Sequence, residues 1–283
     1  MLAYRHAFHA GNHADVLKHL VLTHVLRYMG EKDKPYTVVD THAGAGGYSL
    51  QGRYAHKKDE FEDGIARLWR RDDLPPAVAD YVQKVREFNA GAALEQYPGS
   101  PALAQMLMRP ADRLRLYELH PTDHRILEAF LGKRPHTQVS MSDGFAALKA
   151  ELPPPSRRGV VLIDPSYELK SDYAKVLAAV REALQRFAEG PVLVWVPQLQ
   201  LLEAAQLPHR LQAAADGAPK GWLHARLTVA QADEHGFGLV GSSMFVVNPP
   251  HLLHGMLQDT LPWLTDMLGR YDGAHYLLEH RAR

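Results

Sequence analysis

The sequence predicts an α/β domain built on a mostly parallel sheet of seven strands, and three observations carry that reading. Short apolar runs alternate with longer stretches of helical periodicity, the pattern of strands joined by crossover helices. Seven such runs recur along the chain. Three of the first four are followed at once by an acidic residue and a turn, which sets carboxylates along one edge of such a sheet.

The strands are expected at 37–39, 114–117, 137–140, 159–163, 192–196, 223–230 and 243–247. Helical periodicity fills 14–29, 101–108, 122–130, 144–149, 173–187 and 199–215. The last two strands are joined by 231–241 without a helical pattern, so they read as an antiparallel pair closing the sheet. About seventy residues separate the first strand from the second, where a simple βαβ unit needs about 30. The excess, 52–98, has helical pattern at 61–70 and 76–89 and no strong strand. It reads as a helical insertion subdomain, a place for substrate contacts that the scaffold does not itself require. The rest forms one domain over 1–283, entered by an N-terminal arm at 1–13.

Composition narrows the chemistry. With 283 residues, 46% hydrophobic, the chain can bury a full core without staples. It has no cysteine, which removes thiolate metal sites, iron–sulfur clusters and thiol nucleophiles. Formal net charge is zero, from 32 basic and 32 acidic residues, so this is no sequence-blind polycation. The histidine-rich start has no apolar signal core, and runs such as 192–196 are far too short to span a bilayer. A cytoplasmic protein without membrane contact is expected.

The chemistry concentrates at the strand ends. The first strand leads through Asp40 into Thr41-His42-Ala43-Gly44-Ala45-Gly46-Gly47, a glycine turn in which Gly44 lets the backbone approach a ligand. It is not a phosphate-binding Walker loop, because no Gly-Lys-Ser/Thr follows. Glu118 ends the second strand, where a carboxylate can accept both ribose hydroxyls, and Asp143 and Gly144 follow the third, where an adenine can be read. One such acid is usually only a helix cap; three on one edge suit an adenosine whose attached group is not a pyrophosphate. The fourth strand delivers Asp164-Pro165-Ser166-Tyr167. An exocyclic base amine is a weak nucleophile because its lone pair is delocalised. Hydrogen bonds to the Asp164 carboxylate and the Pro165 carbonyl would aim that lone pair, Asp164 would accept the proton, and Tyr167 would stack on the base.

Taken together these segments resemble the bacterial 23S ribosomal RNA adenine-N6 methyltransferases, almost end to end. The likeness runs through YRHAFHAGNHADVLKH (4–19), DTHAGAG (40–46), YPGSP (97–101), ELHP (118–121), SDGF (142–145), the SRRG-VVLIDP-YE stretch (156–168), NPP (248–250) and LPWL (261–264). The resemblance implies a Rossmann-like class I S-adenosylmethionine-dependent methyltransferase fold, methylation of N6 of a single adenine in 23S ribosomal RNA, and a monomer. It places cofactor contacts on His19, His42, Ser100, Glu118, Asp143, Gly144 and Asp164, and RNA contact on Tyr4. His6 and Lys18, beside them in the N-terminal block, are further expected RNA contacts. No metal is expected, since methyl transfer from a sulfonium needs no Lewis acid and no His-Glu-x-x-His spacing occurs. Ser166 departs from the family's Asp-Pro-Pro-Tyr pattern, which predicts a looser loop and slower catalysis than a proline would give. A DNA adenine-N6 methyltransferase and a non-catalytic RNA-binding relative are the alternative functions.

Overall fold

A computed structural model describes residues 6–51, 60–233 and 238–282. A 3-10 turn at His6–Phe8 leads into α1 (His13–Gly30), β1 (Thr37–Asp40), β2 (Gly47–Ser49), α2 (Ile65–Trp69), α3 (Pro76–Asn89), β3 (Gln96–Pro98) and α4 (Ser100–Leu107). There follow β4 (Arg113–Tyr117), α5 (Pro121–Leu131), β5 (Thr137–Ser140), α6 (Gly144–Glu151), β6 (Gly159–Ile163) and α7 (Ser171–Arg186). The chain closes with β7 (Val192–Gln198), α8 (Leu202–Ala215), β8 (Trp222–Thr228), β9 (Gly241–Val247), α9 (Leu253–Leu268) and β10 (His275–Arg281).

The main sheet runs in the order β10-β8-β9-β7-β6-β1-β4-β5. Strands β7, β6, β1, β4 and β5 are parallel neighbours, and β9 lies antiparallel between β7 and β8. A five-stranded parallel half ending in an antiparallel pair is the Rossmann-like arrangement predicted. The strand count is corrected from seven to eight, because β10 adds to the outer edge of β8. Its sequence, HYLLEHR, is mostly exposed and polar and so leaves no apolar run to detect. α9 was also missed, since Pro262 inside it interrupts the helical pattern.

Alternate residues of each strand enter two cores, Val38, Leu116, Val160 and Leu162 on one face and Val39, Val161, Ile163 and Val194 on the other. Helix α1 lies in the first core, against β9, α3, α4 and α9. It is buried on all sides rather than amphipathic, so its polar residues Asp15, Lys18 and His19 sit in the interior. Buried polar groups need partners, and these partners build the site.

Between β1 and β4 the described residues form α2, α3 and a two-stranded sheet in which β2 pairs with β3. Residues 6–12 form turns against α1 rather than a free arm; Asn12 caps the helix by accepting from the amides of Ala14 and Asp15 at 3.0 Å each. Tyr4 and residues 52–59 lie outside the described residues. Among the described residues no helix is long and apolar enough to cross a membrane.

Candidate active site

In a parallel sheet every strand delivers its last residue to the same edge. Asp40 ends β1, Glu118 follows β4, Asp143 follows β5 and Asp164 follows β6. Above that edge lies a cavity of about 290 Å³. It is bordered by His6, Lys18, His19, His42, Gly44, Ser100, Glu118, Asp143, Gly144, Asp164 and Pro165, so eleven of the residues expected from sequence meet in one place.

At the β4–β5 end of the cavity, backbone amides hold the carboxylates in place. Glu118 accepts from the amide of Gly44 at 2.8 Å and of His120 at 2.6 Å, which fixes its carboxylate across the glycine turn. Gly44 has φ +62°, and a Cβ there would lie 2.2 Å from the Tyr48 hydroxyl, so only glycine fits. Asp143 caps α6 through the amides of Phe145 and Ala146, at 2.9 and 3.4 Å. A Cβ on Gly144 would meet the Thr41 carbonyl at 2.1 Å; its absence lets α6 close against the end of β1. The Phe145 ring meets His42 edge-on at 4.6 Å.

At the β1 end, Asp40 is buried and accepts from the Ser100 hydroxyl at 2.6 Å and the His42 amide at 3.2 Å. Burial pushes its pKa up to about 6. Burial also pushes His42 down to about 4 and His19 down to about 3, so both imidazoles are neutral at pH 7.

The loop after β6 brings the largest departures from expectation. Lys18 is not an exposed phosphate contact. It is 4% exposed, with Nζ 2.7 Å from Asp15 and 2.6 Å from Asp164. Burial alone would lower its pKa, but the two carboxylates outweigh burial and hold it above its ordinary value. Asp15 also accepts from His6 Nε2 at 2.9 Å and from the Gly11 amide at 2.9 Å, so a charged chain runs from the N-terminal turn to Asp164. Although burial opposes ionisation of Asp15, His6 and Lys18 hold it well below the usual carboxylate range.

Tyr167 is corrected as well. It does not border the cavity. Its φ is +53°, its ring lies 4.7 Å from Tyr173 and 5.9 Å from Trp195, and its hydroxyl donates to the Trp195 carbonyl at 2.6 Å. In this arrangement it packs the second core and the stacking role falls to no part of it; Ser166 and Leu169 face the cavity instead. Asp15, Tyr48 and Phe145 were not foreseen. Asp15 alone had a signal, the i,i+3 spacing to Lys18 on one helix face.

Comparison with known proteins decides the family. The profile of the family described as ribosomal RNA large subunit methyltransferase D, RlmJ, matches residues 33–280. The chain belongs to that family. It is 44% identical over 268 residues to ribosomal RNA large subunit methyltransferase J of Escherichia coli K12, covering 95% of this chain and 94% of the relative. The protein of the same name from Haemophilus influenzae is 42% identical over 269 residues, with the same coverage. A crystal structure from Legionella pneumophila superposes with a TM-score of 0.86 at 32% identity, over 96% of this chain and 98% of that one. As a member of a ribosomal RNA methyltransferase family, the chain is an enzyme.

Proposed function

We propose that this methyltransferase transfers the methyl group of S-adenosylmethionine to N6 of an adenine in 23S ribosomal RNA. The observation that supports it most is Asp164, a carboxylate at the end of β6 that borders the same cavity as Glu118 and Asp143. The donor set suits the cofactor. Glu118 would hold the ribose hydroxyls and Asp143 and Gly144 the adenine, while His19 borders the same cavity with its Nε2 atom buried and without a partner. Bound S-adenosylmethionine supplies an electrophilic methyl group on a sulfonium.

The residues of the loop then act on the target amine. Lys18 neutralises one oxygen of Asp164, Oδ2, and so fixes the carboxylate plane. The other oxygen and the Pro165 carbonyl are left for the amine hydrogens, which turns the nitrogen lone pair away from the ring. Asp164 takes the proton released as the new bond forms. His6, which is partly exposed beside Tyr48 and tied to Asp15, and Tyr4 are proposed RNA contacts. The inserted segment at 52–98 is proposed as a subdomain that shapes the RNA approach. The enzyme is proposed to act in the cytoplasm as a monomer.

Mapping N6-methyladenosine in 23S ribosomal RNA from cells with and without the gene tests this directly. Loss of one methylated adenine on deletion is expected. Radiolabelled methyl transfer to duplex DNA but not to stripped ribosomal RNA would overturn it.

A further inference from the structure

Three buried groups form a line from the inserted helices to the cavity. Tyr81 on α3 lies 2.8 Å, hydroxyl to hydroxyl, from Tyr97 on β3, and the Tyr97 hydroxyl lies 2.7 Å from Nδ1 of His19 on α1. Both tyrosines are 0% exposed and His19 is 1% exposed. His19 borders the cavity, and its Nε2 atom has no partner.

Counting protons along this line fixes its direction. Among the described residues the Tyr81 hydroxyl has no partner besides Tyr97. If Tyr81 accepted, its own proton would point into a dry core with no partner, whereas Nε2 is without a protein partner in either direction. If Tyr81 donates to Tyr97 and Tyr97 donates to Nδ1, both hydroxyl protons are used. Nδ1 is then an acceptor, and the imidazole proton must sit on Nε2. Burial keeps His19 neutral at pH 7, so a doubly protonated ring does not intervene.

We infer that Tyr97, backed by Tyr81, is a positioning residue that fixes His19 as its Nε2–H tautomer and so provides a hydrogen-bond donor for the carboxylate of the methyl donor's amino-acid end. The ligand half of this inference rests on the S-adenosylmethionine reading; the tautomer does not. The placement follows from strand order. Glu118 and Asp143 hold a nucleoside over β4 and β5, so its other end lies over β1, where Ser100 and Asp40 are hydrogen-bonded. The Lys18 ammonium is already shared by Asp15 and Asp164, which leaves His19 for the carboxylate. Helix α3 thereby contributes to cofactor affinity without touching the cofactor.

The tautomer is read on the unmodified, ligand-free protein by long-range ¹H–¹⁵N correlation spectra of ¹⁵N-histidine at pH 7. A protonated Nε2 on His19 is expected; a protonated Nδ1 would overturn the inference. Calorimetry then compares S-adenosylmethionine with its decarboxylated analogue. The unmodified protein should bind the carboxylate-bearing ligand about three- to tenfold more tightly, one hydrogen bond's worth. Tyr97→Phe should remove that preference and leave affinity for the analogue unchanged, with Tyr81→Phe intermediate. An equal loss for both ligands would mean that Tyr97 only supports the fold. Failure of the unmodified protein to bind either ligand would sink the cofactor reading, whereas the spectra would still decide the tautomer.

Discussion

The charge state of single residues decides how this site works. Lys18 sits between Asp15 and Asp164, and all three are largely shielded from water. Removing Lys18 from this cluster leaves two buried carboxylates uncompensated, at a cost of about 3–5 kcal/mol, whereas neutralising Asp164 leaves the Lys18–Asp15 pair intact. Lys18→Met should therefore lower stability by that order and also slow methyl transfer about a hundredfold or more, because Asp164 loses its orientation. Asp164→Asn should slow transfer about 10²–10⁴-fold, the usual worth of a positioned proton acceptor, with little change in stability. Urea unfolding and single-turnover rates on both variants separate the two effects; equal stability losses would contradict the assignment. Asp164 and Glu118 were legible in the sequence because each directly follows an apolar run, and Asp143 because it lies three residues beyond an expected strand. The Lys18–Asp164 pair was not, since its members are 146 positions apart. Nor was the inward turn of Tyr167, which depends on a left-handed backbone that the motif does not announce.

At the scale of elements, α1 is the part on which the site depends most, because it carries Asp15, Lys18 and His19 together. Its start is set by Asn12, whose side chain also donates to Glu60 at 3.0 Å. Asn12→Ala should cost about 1 kcal/mol, a fall of roughly 2–4 °C in midpoint temperature, detectable by calorimetry. An unchanged midpoint would show that α1 is held by packing alone. The elements that sequence predicts best are those with a strong period and clear ends. Strands β5 and β6 and helix α3 have the bounds expected, and α3 begins on Pro76 and ends before Ala90 in a left-handed turn. Those it missed lack local information. β2 and β3 are three residues each and exist through pairing with one another. β10 is an exposed edge strand whose only reason to be extended is β8. The loop at 165–169 is neither strand nor helix, and Ser166 sits on it facing the cavity. A proline there would restrict φ without removing an observed backbone bond. Ser166→Pro should speed methyl transfer; unchanged single-turnover kinetics would show that loop looseness does not limit the rate.

Across the whole molecule, the histidines link stability to pH. The chain has 17 histidines, several near its start, and histidines ordinarily sit at least partly in solvent. Instead His13, His19 and His42 are held neutral in the interior, burial depressing them to about 4, 3 and 4. The sign of the effect follows from proton counts. Below pH 6.5 the unfolded chain protonates these three side chains while the native protein does not, so acidification favours unfolding. Asp40 acts in the opposite sense. Its native pKa of about 6 lies above the unfolded value of 3.8, so its stabilising contribution is full below pH 3.8 and lost as pH rises through about 6. Among these four groups the unfolded state therefore binds a net two protons more around pH 5, three on histidines less one on Asp40. Two protons correspond to about 3 kcal/mol per pH unit. Between pH 7 and 5 the loss should reach about 4 kcal/mol, a large part of the stability of an ordinary domain. Urea unfolding at half-unit pH steps measures this slope. His13→Gln, which lies outside the cavity, should remove one proton from it and flatten the curve while leaving S-adenosylmethionine affinity unchanged. A profile that stays level from pH 7 to 5 would mean that these imidazoles are hydrated in the native protein, and the buried Nε2 donor inferred for His19 would fall with it.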